Sequence, residues 1–181
     1  MVEAVGRVFA AVPVPVEIRI ALADRLAGLD LPGRLVEPED WHVTLRFFGG
    51  VSEIVYERLL HGMAPVADVQ PFKLSLDLVG AFPSARKASV LWLGIGQGIE
   101  ELTGLSQVVE EAAVSAGLER EERPFQPHLT LSRVRPPQDV SALMGGDIGL
   151  KWKCDRVVVY SSKLGESGPK YSILETFLLD G

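Results

Sequence analysis

The sequence predicts a mixed fold of helices and strands: two successive β-α-β-α-β units followed by one more strand. Three observations carry that expectation. Hydrophobic spacing switches repeatedly between a period of two and a period near 3.6, the order of elements is the same in both halves, and one short polar pattern occurs once in each half. At 181 residues, 47% hydrophobic and 23% charged, the chain can bury a core as one domain or as two small lobes sharing an interface.

Residues 5–12 are apolar with β-branched side chains and stop at Pro13, which reads as a strand. Residues 16–29 place Ile18, Ala21, Leu22, Arg25 and Leu26 at helical spacing before the LDLPG segment closes the helix. Residues 42–48 alternate as a strand, residues 53–63 form a helix with Ser52 as its cap, and residues 72–79 alternate again. In the second half, residues 89–95 read as a buried strand, 99–117 as a helix ending in glycine, and 128–134 as a strand. A short helical piece at 139–144, a strand at 152–160 and a last strand at 171–179 complete the chain. The seam between halves is expected at residues 81–87, giving a single two-lobed domain with a first repeat at about 1–85 and a second at about 86–181.

Composition removes several classes of function. No apolar run approaches the roughly 18 residues that a spanning helix needs, so no membrane partner is expected. The start, MVEAVGRVFAAVPVPVE, has an acid at Glu3 and two prolines where a secretory signal would be basic and then continuously apolar, which points to a cytoplasmic protein. Cys154 is the only cysteine, so an internal disulfide and a thiolate metal cluster are both excluded. A net charge of −6 argues against gripping long stretches of nucleic-acid backbone, whereas a small or terminal phosphate needs only a few local cations.

The repeated pattern is HVTL at residues 42–45 and HLTL at residues 128–131. With three histidines and four threonines in the chain, two His-x-Thr matches by accident have a chance of only about 0.15%. In a strand, His42 and Thr44 share one face while Val43 and Leu45 share the other; His128 with Thr130, and Leu129 with Leu131, do the same. Two imidazoles and two hydroxyls can thus surround one small space if the halves face each other. Neither pattern carries a neighbouring carboxylate or second histidine, so a metal site is not indicated and no cofactor is expected. Splitting a cyclic phosphodiester fits: attacking water must lose a proton, the departing oxygen must gain one, and imidazoles can hold opposite protonation states near neutral pH. The hydroxyls would hold the non-bridging oxygens.

On these motifs, together with RVFAAVPVP, WHVTLRFFGGV, VLWLGI, RPFQPHLTLSRV and LGESGPKYSILETFLL in order along the chain, the sequence resembles the two-histidine phosphoesterase superfamily. Within it, the resemblance is to RNA 2′,3′-cyclic phosphodiesterases, also named 2′-5′ RNA ligases. The resemblance implies an α+β, bilobal fold in which two related β-α-β-α-β units, with antiparallel-rich sheets, face a central cleft. It implies His42 as proton donor to the leaving 3′ oxygen and His128 as the base that activates water, with a 2′-phosphate product and reversible 2′-5′ ligation by the same transfers run backward. Thr44 and Thr130 match phosphate-holding positions, and Arg133 matches a phosphate-binding arginine, although regular alternation would aim it away from His128. The implied partners are RNA ends or nucleotides bearing 2′,3′-cyclic phosphate, with no obligate protein partner and a monomer expected. The alternatives are a phosphodiesterase of another cyclic phosphate or of a 2′-5′ linked oligonucleotide, and a non-catalytic nucleotide-binding module of the same fold.

Other signals are weaker. Arg46 and Phe48 share the His42 face on regular alternation and are candidates to meet phosphate and base, while Trp41 is expected in the core. The glycine-rich GIGQGIE, residues 94–100, fails the dinucleotide-binding fingerprint at Ile99, where a glycine is required. His61 is expected on a helix surface, the charge run EREERP at 119–124 as a solvated loop, and Cys154 beside Trp152 as packing.

Overall fold

The computed structural model describes residues 4–166 and 168–181; the first three residues of the N-terminal stretch and Ser167 lie outside them. In chain order the elements are β1 (Ala4–Pro13), α1 (Val16–Leu26), β2 (Arg34–Leu35), β3 (His42–Ser52), α2 (Glu53–Gly62), β4 (Phe72–Phe82), β5 (Ala88–Ile95), α3 (Ile99–Ser115), β6 (His128–Gln138), β7 (Leu150–Cys154), β8 (Arg156–Gly165) and β9 (Gly168–Leu178). The expected helices are present, and Ser52 caps α2 by accepting from the Val55 amide at 3.4 Å. The helical piece at 139–144 is one 3-10 turn, Ser141–Leu143.

The described strands form one antiparallel sheet in the order β7-β4-β5-β6-β3-β1-β8-β9, with β2 paired to β6. The strand expected at 152–160 is two strands, β7 and β8, that pair with β4 and β1 in opposite halves of the sheet. Asp155 alone joins them, so the chain must pass from one half to the other within a single residue, and the sheet is bent into a half-barrel. Sheet order also cuts across chain order. β4, from before residue 85, pairs with β5 and β7, while β8, from after it, pairs with β1. The halves of the sheet therefore exchange strands that the linear repeat keeps apart.

One hydrophobic cluster unites both halves. Ile18 and Leu22 of α1, Leu59 of α2 and Leu102, Leu105 and Val109 of α3 share it with Val43, Leu45, Leu129 and Leu131. Trp41, Trp152 and Cys154 belong to this core, and burial pushes the Cys154 thiol up to about 12, which leaves it unreactive. The opposite face curls inward: His42 on β3 touches Tyr171 on β9, three strands away, which a flat sheet would hold roughly 14 Å apart at ordinary strand spacing. Among the described residues no helix is long and apolar enough to cross a membrane.

Candidate active site

β3 and β6 meet at the centre of the sheet through one pair, Val43 opposite Leu129, and both side chains are fully buried on the helix side. The flanking positions therefore project from the curled face. Extending the antiparallel register by one residue sets His42 across from Thr130 and His128 across from Thr44. In an ideal ladder the two histidines then stand on a diagonal, about 7–8 Å apart. The hydrophobic pair that seals the core thus also gathers all four polar side chains of the repeated motif.

Both rings are oriented by the same local device. Nδ1 of His42 donates to the Asp40 carbonyl at 2.6 Å, and Nδ1 of His128 donates to the Gln126 carbonyl at 2.7 Å. A carbonyl oxygen can only accept, so Nδ1 carries hydrogen in each ring and Nε2 is the nitrogen left for proton transfer. Aromatic walls hold the rings. His42 lies 5.0 Å from Phe9, 5.4 Å from an edge-on Tyr171 and 6.1 Å from Tyr160. His128 lies 5.1 Å from an edge-on Phe82 and 6.0 Å from Trp92.

This enclosure sets the electrostatics. Burial takes His42 down to about 4; its bond to the Asp40 carbonyl opposes the shift, while the His128 and Arg133 charges add to it. His128 is lowered for the same first reason, with the Gln126 carbonyl opposing and Arg133 adding. Burial likewise raises the Tyr160 and Tyr171 phenols. Thr44 and Thr130 are half-buried, and neither hydroxyl makes a hydrogen bond to another described residue.

Arg133 reaches the histidine face because β6 is not regular. Thr130 pairs with Trp92 and Ser132 with Leu91, so Leu131 is an extra residue that resets the alternation. β3 does the same at the equivalent place: Thr44 pairs with Ala11 and Arg46 with Ala10, leaving Leu45 extra. The motif leucine is the bulged residue in both strands. The position five after each histidine consequently returns to the curled face, as Arg133 in one half and Phe47 in the other. Arg133 is exposed, and its side chain makes no hydrogen bond or ion pair among the described residues. Phe47 is 57% exposed, with its ring 5.2 Å from Phe9.

The same bulge overturns the expectation for Arg46 and Phe48. Phe48 is buried in the core, skipped by a second irregularity between the Phe9–Phe47 and Val8–Gly49 pairs. Arg46 turns to the helix side, where Nε lies 2.7 Å from Glu110 Oε2 of α3, Nη1 lies 3.6 Å from Glu121 Oε2, and Nη2 donates to the Glu119 carbonyl at 2.6 Å. The run at 119–124 is the solvated loop expected, tethered to Arg46 through the Glu119 carbonyl and Glu121. Glu121, whose carboxyl Arg123 and then Arg46 hold down at about 2, also accepts from the Arg123 amide. His61 is exposed on α2, away from this face.

Sequence reasoning missed the aromatic walls and Arg34. Phe9 carried a local signal, since Phe9 and Ala11 alternate with the core residues Val8, Ala10 and Val12. Tyr160, Tyr171 and Phe82 carried none, because only the curl of the sheet brings them to the histidines.

A bent antiparallel sheet whose central strands each deliver one histidine and one threonine to a shared face agrees with the two-histidine phosphoesterase class that the motifs resemble. The family model described as the 2′-5′ RNA ligase superfamily matches residues 14–166, and the chain belongs to that superfamily. An RNA 2′,3′-cyclic phosphodiesterase of Aeropyrum pernix is 33% identical over 159 residues, covering 84% of this chain and 90% of the relative. One of Methanothermobacter thermautotrophicus is 31% identical over 166 residues, covering 87% and 89%. The crystal structure of E. coli LigT in apo form superposes with a TM-score of 0.81 at 28% identity over 97% of this chain and 98% of that one. LigT complexed with 3′-AMP gives 0.80 at 28% identity over 99% and 100%.

Proposed function

We propose that this protein opens terminal 2′,3′-cyclic phosphates of RNA or nucleotides to 2′-phosphates by paired-histidine acid–base catalysis. The carrying observation is the matched pair of Nδ1-to-carbonyl bonds, which frees both Nε2 atoms around one face shared with Thr44 and Thr130. His128 Nε2 takes a proton from water as the water oxygen bonds to phosphorus. The P–O3′ bond breaks, and His42 Nε2 gives its proton to the departing 3′ oxygen. The product carries a 2′-phosphate and a free 3′ hydroxyl, and the two histidines have exchanged protonation states. Thr44 and Thr130 donate to the non-bridging oxygens, and Arg133 offsets the charge that gathers on them. With an RNA 5′ hydroxyl in the place of water, the same two transfers join ends: His128 Nε2 takes the hydroxyl proton as that oxygen bonds to phosphorus, the P–O3′ bond breaks, His42 Nε2 protonates the 3′ oxygen, and a 2′-5′ phosphodiester results.

The names of the relatives support the substrate class, and the oriented histidines favour chemistry over a module that only binds. The expected setting is a cytoplasmic monomer. Incubation of the protein with 2′,3′-cyclic nucleotides in EDTA, with the product isomer read by phosphorus NMR, should give the 2′-phosphate. His42→Ala and His128→Ala should each lower turnover by about 10²–10⁴ with folding kept. A 3′-phosphate product, or wild-type rates in either variant, would refute these roles, and loss of activity in EDTA would point to a metal. A panel including 2′-5′ linked dinucleotides and other cyclic phosphates separates the neighbouring substrates.

A further inference from the structure

β2 is only two residues long, yet it puts a second arginine beside the first. Arg34 and Arg133 are directly opposed partners in the β2–β6 ladder, and directly opposed residues of an antiparallel pair project to the same face with Cβ atoms roughly 4.5–5.5 Å apart. The pairing is held tightly. Gly33 has φ +82° and lies so close to β6 that a Cβ there would collide with the Arg133 carbonyl. From this anchor the Arg34 guanidinium extends to Gly168 at the start of β9, where a side chain on the glycine would collide with it. Arg34 also lies within electrostatic reach of Tyr171, whose ring stands edge-on to His42.

The two side chains share one face and reach different neighbours. Arg133 lies within electrostatic reach of both histidines, and Arg34 within reach of Tyr171. The Arg34 guanidinium is thus set toward β9, beside Gly168, while Arg133 is set toward the histidines. In a chain of net charge −6, one further cation at this place suits a single added phosphate and not a long backbone track.

Resting on the proposed activity, we propose that Arg34 binds the phosphodiester immediately 5′ of the terminal nucleotide, so that the protein prefers an RNA end to a free cyclic mononucleotide. Arg34 is a specificity residue in this arrangement and takes no part in proton transfer.

The test compares a 2′,3′-cyclic mononucleotide with a short RNA ending in the same nucleotide and cyclic phosphate. In the wild type, kcat/KM should be higher for the RNA. Arg34→Ala should lower kcat/KM on the RNA by about tenfold or more, chiefly through KM, on the scale of a charge-assisted hydrogen bond. The mononucleotide should change by less than about twofold, because no contact to it is lost. The slope of log kcat/KM against log salt for the RNA should become shallower by about 0.7 in the variant, the share of one phosphate contact on a single strand. Arg34→Lys, which keeps a charge but not the fork, should restore part of the preference. Equal losses on both substrates, or none on either, would overturn the assignment of Arg34 while leaving the catalytic reading intact. A wild type inert on both substrates would overturn both.

Discussion

At the scale of single residues, His42 poses the sharpest chemical demand. An acid must carry a proton, yet burial and the Arg133 charge hold His42 at about 4 in the free protein. The substrate supplies the correction, since a cyclic phosphate is an anion that would sit between the two rings and favour their charged forms. Because kcat/KM reports the free enzyme and kcat the bound complex, the kcat/KM optimum should lie on the acid side of about pH 6.5 and the kcat optimum at higher pH. Arg133→Gln should move both limbs of the kcat/KM profile to higher pH while lowering the rate, because a repelling cation has been removed. Full pH profiles of both proteins check this, and coincident wild-type kcat and kcat/KM optima would contradict it. Phe47, exposed beside Phe9, offers a face for a nucleobase: Phe47→Ala should raise KM for cyclic nucleotides by about fivefold or more with kcat little changed, as stacking is worth about 1–3 kcal/mol per base. The histidines and threonines were legible because their spacing of two is a property of any strand. The inward aim of Arg133 was not, because it depends on Leu131 being an extra residue, and HLTL does not itself announce a bulge.

At the scale of elements, the wall behind His128 depends on one glycine. Gly80 of β4 pairs with Trp92 of β5, and a Cβ at Gly80 would collide with three atoms of the indole. The Trp92 ring lies over this gap, 4.9 Å from Phe82 and 6.0 Å from His128. Gly80→Ala should displace the indole, destabilise the fold by about 1–3 kcal/mol as overpacking does, and lower turnover with altered tryptophan fluorescence. An unchanged spectrum and rate would show that the ring does not need this seat. Helix positions and most strands could be read from periodicity, since each element alone must bury one face. The break at Asp155 was hidden because the alternating run at 150–154 passes within two residues into the apolar run at 157–159, and only pairing to β4 on one side and β1 on the other separates them. β2 escaped because two residues have no period.

For the whole molecule, the site and the stability of the fold are linked through protons. The fold encloses His42 among Phe9, Tyr160 and Tyr171, which favours the neutral ring, while the unfolded chain leaves it near its ordinary value of about 6.5. A group whose folded value is depressed contributes its full stability above the unfolded value and loses it as pH falls toward the folded one. His42 should therefore contribute stability at pH 7 that disappears between about pH 6.5 and 4, by at most about 3 kcal/mol. Carboxylates such as Asp155 and Glu121, which are held low by arginines, begin to lose their contribution as pH falls toward their ordinary values, just below the His42 window, so a broad acid-induced loss in the wild type alone would not identify its source. His42→Gln separates the contributions, because it removes the imidazole and leaves every carboxylate in place. The difference in thermal midpoint between pH 7 and pH 4.5 should be smaller in His42→Gln than in the wild type. Adding a 2′-nucleotide at pH 4.5 should recover more stability in the wild type, because the phosphate favours the imidazolium that the fold otherwise disfavours. Equal acid losses in the two proteins would mean that the aromatic enclosure does not act on His42, and the pH behaviour argued for catalysis would lose its physical basis.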